Sequence, residues 1–474
     1  MTTPDHPHAS DHPHASGHAP ASGHAPASDR PHAPGRSPAH DPPHAADRPP
    51  SPASPAPTSL TRSPFESDTF TSATFVTVGR GPALALAAVW LVTRLGMLVL
   101  LASDSLGIGG VGQEVQLLYR YWYGQFADGT FPPADPTWQY PPGAGLVIMA
   151  PGLLTPWLGY AQAFVVLTLL ADAAVTLGLA LADRSRLTHG AWYWVCALPL
   201  LLHLPLARYD VQATALAVLA LLALKGRSPA AHRLGGVLAG LGAMVKVWPA
   251  LALIGTPRGR TTREAWTAAA VTAATLLAVL ALFFSDSLGF LHRQGARGIQ
   301  IESLGGTALA LGRAAGLWPG TVEIRYGAYE YVGPYVSTLG HLFLLFTVAA
   351  LLWLVLWRLR ARRWTAATPL DAALAATLLL TVTSRVISPQ YLIWLLGLAA
   401  VCLTSRRTVM RPVALLLLPA AALSSLAYPV LYADVVTGTP AGVAVLVLRN
   451  ALLLAAAAVA ARRLWTATVS PVRA

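Results

Sequence analysis

Residues 82–103 read PALALAAVWLVTRLGMLVLLAS, an apolar run whose single charge is Arg94. A run of about 18 or more such residues is long enough to cross a bilayer as a helix. Working outward, apolar segments recur at 143–158, 161–182, 191–206, 210–225, 234–255, 264–285, 334–357, 369–384, 388–404, 412–433 and 440–461. The pattern predicts an all-α, polytopic transmembrane helical bundle of about 10–12 membrane segments, about ten of them full crossings. No repeat with a period of 20 to 50 residues runs through it, which excludes a solenoid.

Composition agrees. Of 474 residues, 54% are hydrophobic and 11% charged, whereas a soluble protein carries about 25% charged residues. A net charge of +12 would suggest nucleic acid in a soluble domain. Here much of the arginine lies in short loops between apolar runs, where it sets orientation, so no nucleic-acid partner is expected. The basic loops Lys225 to Arg233, Arg258 to Arg263, Arg358 to Arg363, Arg406 to Arg411 and the end from Arg462 then fall inside. Residues 104–142 and 286–333 fall outside, with turns near 207–210, 385–388 and 434–440. Segment 234–255 has basic loops at both ends, so it reads as a re-entrant pair of half-helices broken near Lys246 and Pro249. Such backbone is tolerated at that depth only where protein or water covers it.

Residues 1–78 differ in kind. They repeat variants of Asp-His-Pro-His-Ala-Ser, hold nine of the fourteen histidines and have almost no aliphatic residues before Leu60. The stretch cannot bury enough apolar surface to order itself, so it is expected to be a disordered cytoplasmic tail. The domain pattern is thus a tail over 1–78, a membrane domain over 79–465 and a short cytoplasmic end over 466–474. Cys196 and Cys402 both lie in apolar runs, where neither a disulfide nor a cysteine metal site is expected.

Chemistry concentrates near the outer boundary. The first outer loop carries Glu114 and Asp135 among the aromatics Tyr119, Trp122, Trp138 and Tyr140. Either carboxylate, within about 3 Å of an acceptor hydroxyl, can act as a general base. Arg94, Arg208, Lys246 and Arg385 sit within or at the ends of apolar runs. Charges there are costly and mark either function or mutual pairing. Arg208 and Asp210 read equally as a structural ion pair or as substrate contacts, and Lys246 as a site residue or a snorkelling side chain. The second outer loop, from His292 to Ser303, adds Arg297, Gln300 and Glu302. Arg offers a planar fork suited to phosphate. No nucleotide-binding fingerprint occurs.

These pieces together resemble glycosyltransferase family 87, of the GT-C fold class. They are Glu114-x4-Tyr119, Asp135-x2-Trp138-Gln139-Tyr140-Pro141-Pro142-Gly143, Arg208-Tyr209-Asp210, Lys246-Val-Trp-Pro249, Arg297-Gly-Ile-Gln300-Ile-Glu302-Ser303 and Ser388-Pro389-Gln390-Tyr391-Leu-Ile-Trp394. The resemblance covers roughly residues 85–460. It implies transfer of a sugar, typically mannose, from a polyprenyl phosphate to a lipid, glycan or protein acceptor outside the cytoplasm, with inversion and without a cofactor or metal. It places the base in the first outer loop, where the family usually has Asp. Glu114 stands there in this chain, with Asp135 as the alternative. It further implies Arg208, Lys246, Arg297 and Arg385 as phosphate contacts. Tyr119, Tyr140, Asp210, Gln300, Glu302, Gln390 and Tyr391 are implied as sugar or acceptor contacts. The expected setting is a bacterial plasma membrane, with both termini cytoplasmic. A transporter of lipid-linked saccharide and a surface-polysaccharide ligase or polymerase are the competing readings.

Overall fold

The computed structural model describes residues 80–106, 108, 110–130, 138–182, 188–283, 289–291 and 297–469. The tail expected over 1–78, the candidate base Asp135 and residues 292–296 lie outside the described residues.

The helices are α1 (Arg80–Ser103), α2 (Arg120–Ala127), α3 (Ala144–Met149), α4 (Tyr160–Ala182), α5 (His189–Ala197), α6 (Asp210–Leu224), α7 (Pro229–Val245) and α8 (Arg260–Phe283). After them come α9 (Leu304–Ala314), α10 (Val336–Arg360), α11 (Thr368–Thr383), α12 (Tyr391–Leu403), α13 (Arg411–Ser425), α14 (Tyr432–Thr437) and α15 (Pro440–Thr468). Among the described residues, six helices are long and apolar enough to cross a membrane: α1 from Gly81, α4, α8, α10, α13 with its extension to Val430, and α15. The chain is a multi-pass membrane protein of helical architecture. Four shorter apolar helical stretches, Ala144–Leu154, α6, α11 and α12, complete the set.

Length tracks position. Helices α11 and α12 are buried along almost their whole length, while α1, α4, α8 and α10 present rows of exposed leucine and valine. A helix of 13 to 16 residues spans about 20–24 Å, less than the ~30 Å hydrocarbon layer. It is tolerated because neighbouring helices cover it. The lipid-facing helices have no such cover and run the full thickness.

Among the described residues, the basic turns gather at one end. Lys225 Nζ donates to the Ala182 carbonyl at 3.2 Å and to Thr404 Oγ1 at 3.0 Å. Arg258 donates to the carbonyls of Arg358 and Leu359. The N–H groups of Arg362 and Arg363 reach the Thr468 carbonyl, which lies past the domain end expected at 465. The helices that leave this end arrive at the other, where α6 begins at Asp210, α12 begins at Tyr391 and α13 gives way to Tyr428.

The re-entrant reading of 234–255 holds. Helix α7 climbs from the basic end to Val245, Lys246 is extended (φ −147°, ψ 138°), and a 3-10 turn over Trp248–Leu253 leads back. The Thr256 carbonyl then accepts from Arg358 at 2.9 Å, back among the basic turns. Helix α8 starts there and climbs beside α7. Gly236 faces the carbonyl of Ala265, and Gly240 faces Ala269 one turn later. A Cβ at either glycine would collide with that backbone, so small residues let two parallel helices touch.

Two features depart from expectation. The second outer loop holds a small antiparallel sheet within the all-α fold: β1 (Ile299–Gln300), β2 (Thr321–Arg325) and β3 (Ala328–Val332), in the order β1-β3-β2. Tyr326 and Gly327, both at positive φ, close the β2–β3 hairpin, the backbone that a two-residue turn requires. Arg94, grouped above with the candidate site cations, belongs to a structural pair instead. Its Nε and Nη2 each donate to Asp172 at 2.8 Å, and its Nη1 to the Val195 carbonyl at 2.7 Å. Trp90 and Trp194 also donate to Asp172, at 2.6 and 2.7 Å. The carboxylate is thereby satisfied inside the bundle and ties α1, α4 and α5 together.

Removing one member of a buried pair costs about 3–5 kcal/mol, because the other charge is stranded. Arg94→Met should therefore lower the unfolding temperature in detergent sharply. Arg94→Met with Asp172→Leu should recover most of that loss and retain the wild-type activity. A double variant that is folded but inactive would return Arg94 to the site.

Candidate active site

The site begins with a turn made rigid by one carboxylate. Asp104 accepts from the N–H groups of Val111 and Gly112 at 2.7 and 2.8 Å and pairs with buried His203 Nε2 at 3.0 Å. The Gly112 carbonyl then starts the π-helical turn Glu114–Tyr119 by accepting from Val115 and Gln116. Glu114 sits at its first position, with Oε2 3.2 Å from Arg208 Nη2. Arg208 Nη1 is fixed in turn by the carbonyls of Val111 and Ala207 at 3.1 and 2.7 Å, and Nη2 lies 3.3 Å from the Tyr428 hydroxyl. Backbone thus anchors both members of the Glu114–Arg208 pair.

Asp210 does not pair with Arg208, its neighbour in sequence. It accepts from Lys246 Nζ at 2.5 Å and from Trp394 Nε1 at 2.6 Å. Asp210 opens helix α6, whereas Arg208 precedes it in extended backbone. The Lys246 ammonium stands 4.5, 5.1 and 5.8 Å from the ring centres of Tyr209, Trp394 and Tyr140, an arrangement that favours a cation. Tyr391 stacks on Trp394 at 3.9 Å. Gly143 packs so close to the Met244 carbonyl that no Cβ fits. That approach sets Tyr140 and Pro141 beside the break in α7.

The small sheet orients a third cation. Register places Glu330 across from Gln300. Glu330 accepts from Arg297 Nε at 2.9 Å and from the Gly298 N–H at 3.0 Å. Gln139, held by the Tyr326 carbonyl, accepts from Arg297 Nη1 at 3.0 Å. Among the described residues, Arg297 Nη2 is buried with no protein partner.

These groups share one cavity of about 640 Å³. Glu114, Tyr140, Arg208, Lys246, Arg297, Gln300, Glu302, Gln390 and Tyr391 all line it. The apolar side chains of Val247, Trp248, Leu251, Phe290, Leu291 and Leu380 line the same cavity. The other candidates stand elsewhere. Tyr119 is buried behind the wall, packed on Trp122, Phe164 and Tyr209. Asp210 lies behind Lys246. Arg385 is beside the cavity: its carbonyl accepts from the Gln300 N–H at 3.1 Å, and its guanidinium lies near Gly340 of α10 and feels the charges of Glu330 and Arg297. Among the described residues, no three His, Cys, Asp or Glu side chains form a metal-ligand group.

The sequence model of glycosyltransferase family 87 matches residues 138–389, just over half of the chain. The chain belongs to glycosyltransferase family 87. That membership decides for an enzyme over a transporter. Searches of curated proteins and of solved structures found no match. The matched range takes in Tyr140, Arg208, Lys246, Arg297, Gln300, Glu302 and Arg385. Glu114 and Asp135 precede it, and Gln390 and Tyr391 follow it.

Sequence reasoning passed over several groups that shape the transferase cavity. Glu330 becomes visible only through strand register. Tyr428, in the kinked segment after α13, and Tyr432, at the start of α14, line the cavity. Arg449 of α15 is fully buried and donates to the Glu302 carbonyl at 2.7 Å. Its signal was present, since it is a lone charge inside the apolar run 440–461.

Glu302, in the loop between β1 and α9, has its carboxyl pushed from 4.5 up to about 7 by burial, with the Arg449 charge pulling the other way. Between about pH 4.5 and 7 the folded transferase keeps a proton there that the unfolded chain has released. Stability therefore falls as pH rises through that window, by up to about 3 kcal/mol. Unfolding temperatures at pH 5 and pH 8 should show the decline, and Glu302→Gln should flatten it. An unchanged slope in Glu302→Gln would mean that another group titrates.

Proposed function

We propose that this transferase moves a sugar, mannose, from a polyprenyl phosphate to an extracytoplasmic acceptor in a single inverting displacement, with Glu114 as general base. One observation carries the reading: a single cavity is lined by Glu114, Arg208, Lys246 and Arg297 and also by apolar side chains such as Val247, Leu251, Leu291 and Leu380. A polyprenyl chain keeps about 0.8 kcal/mol per buried CH₂ by staying in the bilayer. The donor must therefore present its phosphate at the membrane boundary while its tail remains among apolar groups. A cavity lined by both cations and apolar side chains meets both demands.

In the reaction, the acceptor oxygen attacks the anomeric carbon while its proton passes to Glu114. The bond from that carbon to the phosphate oxygen breaks, and its electron pair leaves with the polyprenyl phosphate. Attack from the face opposite the leaving group inverts the centre. Preorganised positive charge lowers the barrier by meeting the charge that develops on the phosphate. Arg208, Lys246 and Arg297 supply that charge, so the chemistry asks for no metal.

Sidedness follows from the charge distribution. Short loops rich in Lys and Arg stay cytoplasmic, and here they gather at the end away from the cavity. This supports an extracytoplasmic site in a plasma membrane, with both termini on the cytoplasmic side.

Purified protein, labelled polyprenyl-phosphate mannose and a membrane-lipid extract should yield a labelled glycoside of inverted configuration. Glu114→Gln should lower its formation by at least about 10²-fold and leave binding of farnesyl phosphate at the wild-type level. Loss in Asp135→Asn alone would move the base to Asp135, and undiminished transfer in both variants would remove the mechanism.

A further inference from the structure

The contacts of Arg208 leave its fork no free grip on a phosphate. A guanidinium holds a phosphate best through two parallel N–H groups. Here Nη1 donates to the carbonyls of Val111 and Ala207 at 3.1 and 2.7 Å. Nη2 pairs with Glu114 Oε2 at 3.2 Å and donates to the Tyr428 hydroxyl at 3.3 Å. Both ends of the fork are therefore taken by the protein. Tyr428 lines the cavity. Its oxygen accepts from Arg208, and a phenol has one hydrogen of its own to give. Among the described residues, that hydrogen meets no acceptor.

The ring is held from several sides. Tyr428 takes extended backbone (φ −147°, ψ 121°) inside the turn Leu426–Val430, between buried Ala427 and Pro429. Ser425 Oγ ties the end of α13 to the Leu200 carbonyl at 2.5 Å, shortly before the turn that leads to Arg208. Tyr432 meets the Tyr428 ring at a right angle, 4.7 Å away, and packs in turn on Tyr329 of β3 at 5.7 Å. Glu330, the next residue of β3, holds Arg297. A donor fixed in this way needs no reorganisation when charge develops beside it. A hydroxyl that accepts from a cation also gives its own hydrogen more strongly, because hydrogen bonds in a chain polarise one another.

We infer that Tyr428 is a further catalytic residue, whose O–H donates to the phosphate of the lipid donor and carries the influence of Arg208 to it. The inference rests on the reaction proposed above. Tyr428 gives up no proton, since a phenol keeps its hydrogen to about pH 10. As the bond from the anomeric carbon to the phosphate oxygen breaks, the electron pair stays with the phosphate, and the hydrogen bond from Tyr428 tightens. In the same step Glu114 takes the acceptor's proton and loses its charge. The Tyr428 oxygen then keeps Arg208 Nη2 in place. One hydroxyl serves both the cation and the leaving group.

The test uses the full chain in lipid nanodiscs, with farnesyl-phosphate mannose and a membrane-lipid extract as substrates and farnesyl phosphate as the binding probe. Wild-type protein that transfers no mannose overturns the reaction itself, before any variant is made. With transfer established, Tyr428→Phe keeps the ring and removes the hydroxyl. It should weaken farnesyl phosphate binding and lower kcat, each by about 10-fold or more, and shift the phosphorus NMR resonance of the bound probe. A lower kcat with binding and resonance at wild type would make Tyr428 a prop for Arg208 alone and overturns the contact. Wild-type values in all three readouts overturn it as well. A ring-fluorinated tyrosine at the same position preserves the packing and is a stronger donor. It should bind farnesyl phosphate at least as tightly as wild type, and weaker binding overturns the proposal. Tyr193→Phe removes a hydroxyl that donates to the Ala414 carbonyl at 2.8 Å, outside the cavity. It should leave binding and kcat at wild type; a matching fall there would trace the effect to lost stability and overturn the assignment.

Discussion

A charge buried in a membrane protein must be met by another charge or by hydrogen bonds, or it will not stay charged. Every cation of the cavity obeys this with its own carboxylate: Arg208 with Glu114, Lys246 with Asp210, Arg297 with Glu330. The pairing lets three positive groups stand around one chamber without expelling each other. It also holds the resting wall close to neutral. The incoming phosphate then finds oriented donors, such as Arg297 Nη2, in place of a diffuse positive field. In the proposed reaction the Arg208–Glu114 pair has a second consequence. When Glu114 takes the acceptor's proton, Arg208 loses its partner charge at the moment the departing phosphate gains one. Proton transfer and leaving-group stabilisation become two sides of a single redistribution of charge.

The same constraint explains the backbone around the site. Lys246 could not ride on the face of an uninterrupted lipid-exposed helix. It stands where α7 ends, and the returning 3-10 turn, the Gly143 approach and the aromatic rings of Tyr209 and Trp394 enclose it. The short inner helices serve that enclosure. Helices α11 and α12 do not span the bilayer thickness, and the cavity lies at the end where α12 begins, with Leu380 of α11 and Trp248 in its lining.

Much of this was legible in the sequence, for reasons that differ by feature. The spans show because hydrocarbon demands uninterrupted apolar runs, and the re-entrant segment shows because basic turns flank both of its ends. Glu114, Arg208, Lys246 and Arg297 stood out as charges near apolar boundaries, and all four meet in the cavity. Pairing was not legible. Arg208 and Asp210 are two apart in sequence yet take different partners, because Asp210 opens a helix and Arg208 precedes it in extended backbone. Arg94 was grouped with the site because Asp172, 78 positions away, was not read as its partner. Tyr119 has the composition of a binding residue but lies on the inward face of its turn. Glu330 depends on sheet register, which no local pattern in a Tyr-Gly hairpin announces.

What separates the two kinds of wall in this cavity is the direction of their unmet hydrogen bonds. Among the described residues, a buried donor is left over at Arg297 and a buried amide acceptor at Gln300. A sugar phosphate has the complementary polarity within one molecule, acceptors on the phosphate and donors on the ring. An acceptor sugar would present only the second. A cavity with one polarity throughout would bind one part of a glycosyl phosphate and repel the other. Local satisfaction alone does not account for both kinds of vacancy, since each costs folding stability and a neighbouring side chain of the opposite type would remove it. Their persistence in opposite senses, within one chamber, is what a ligand with a charged end and a hydroxylated end would require.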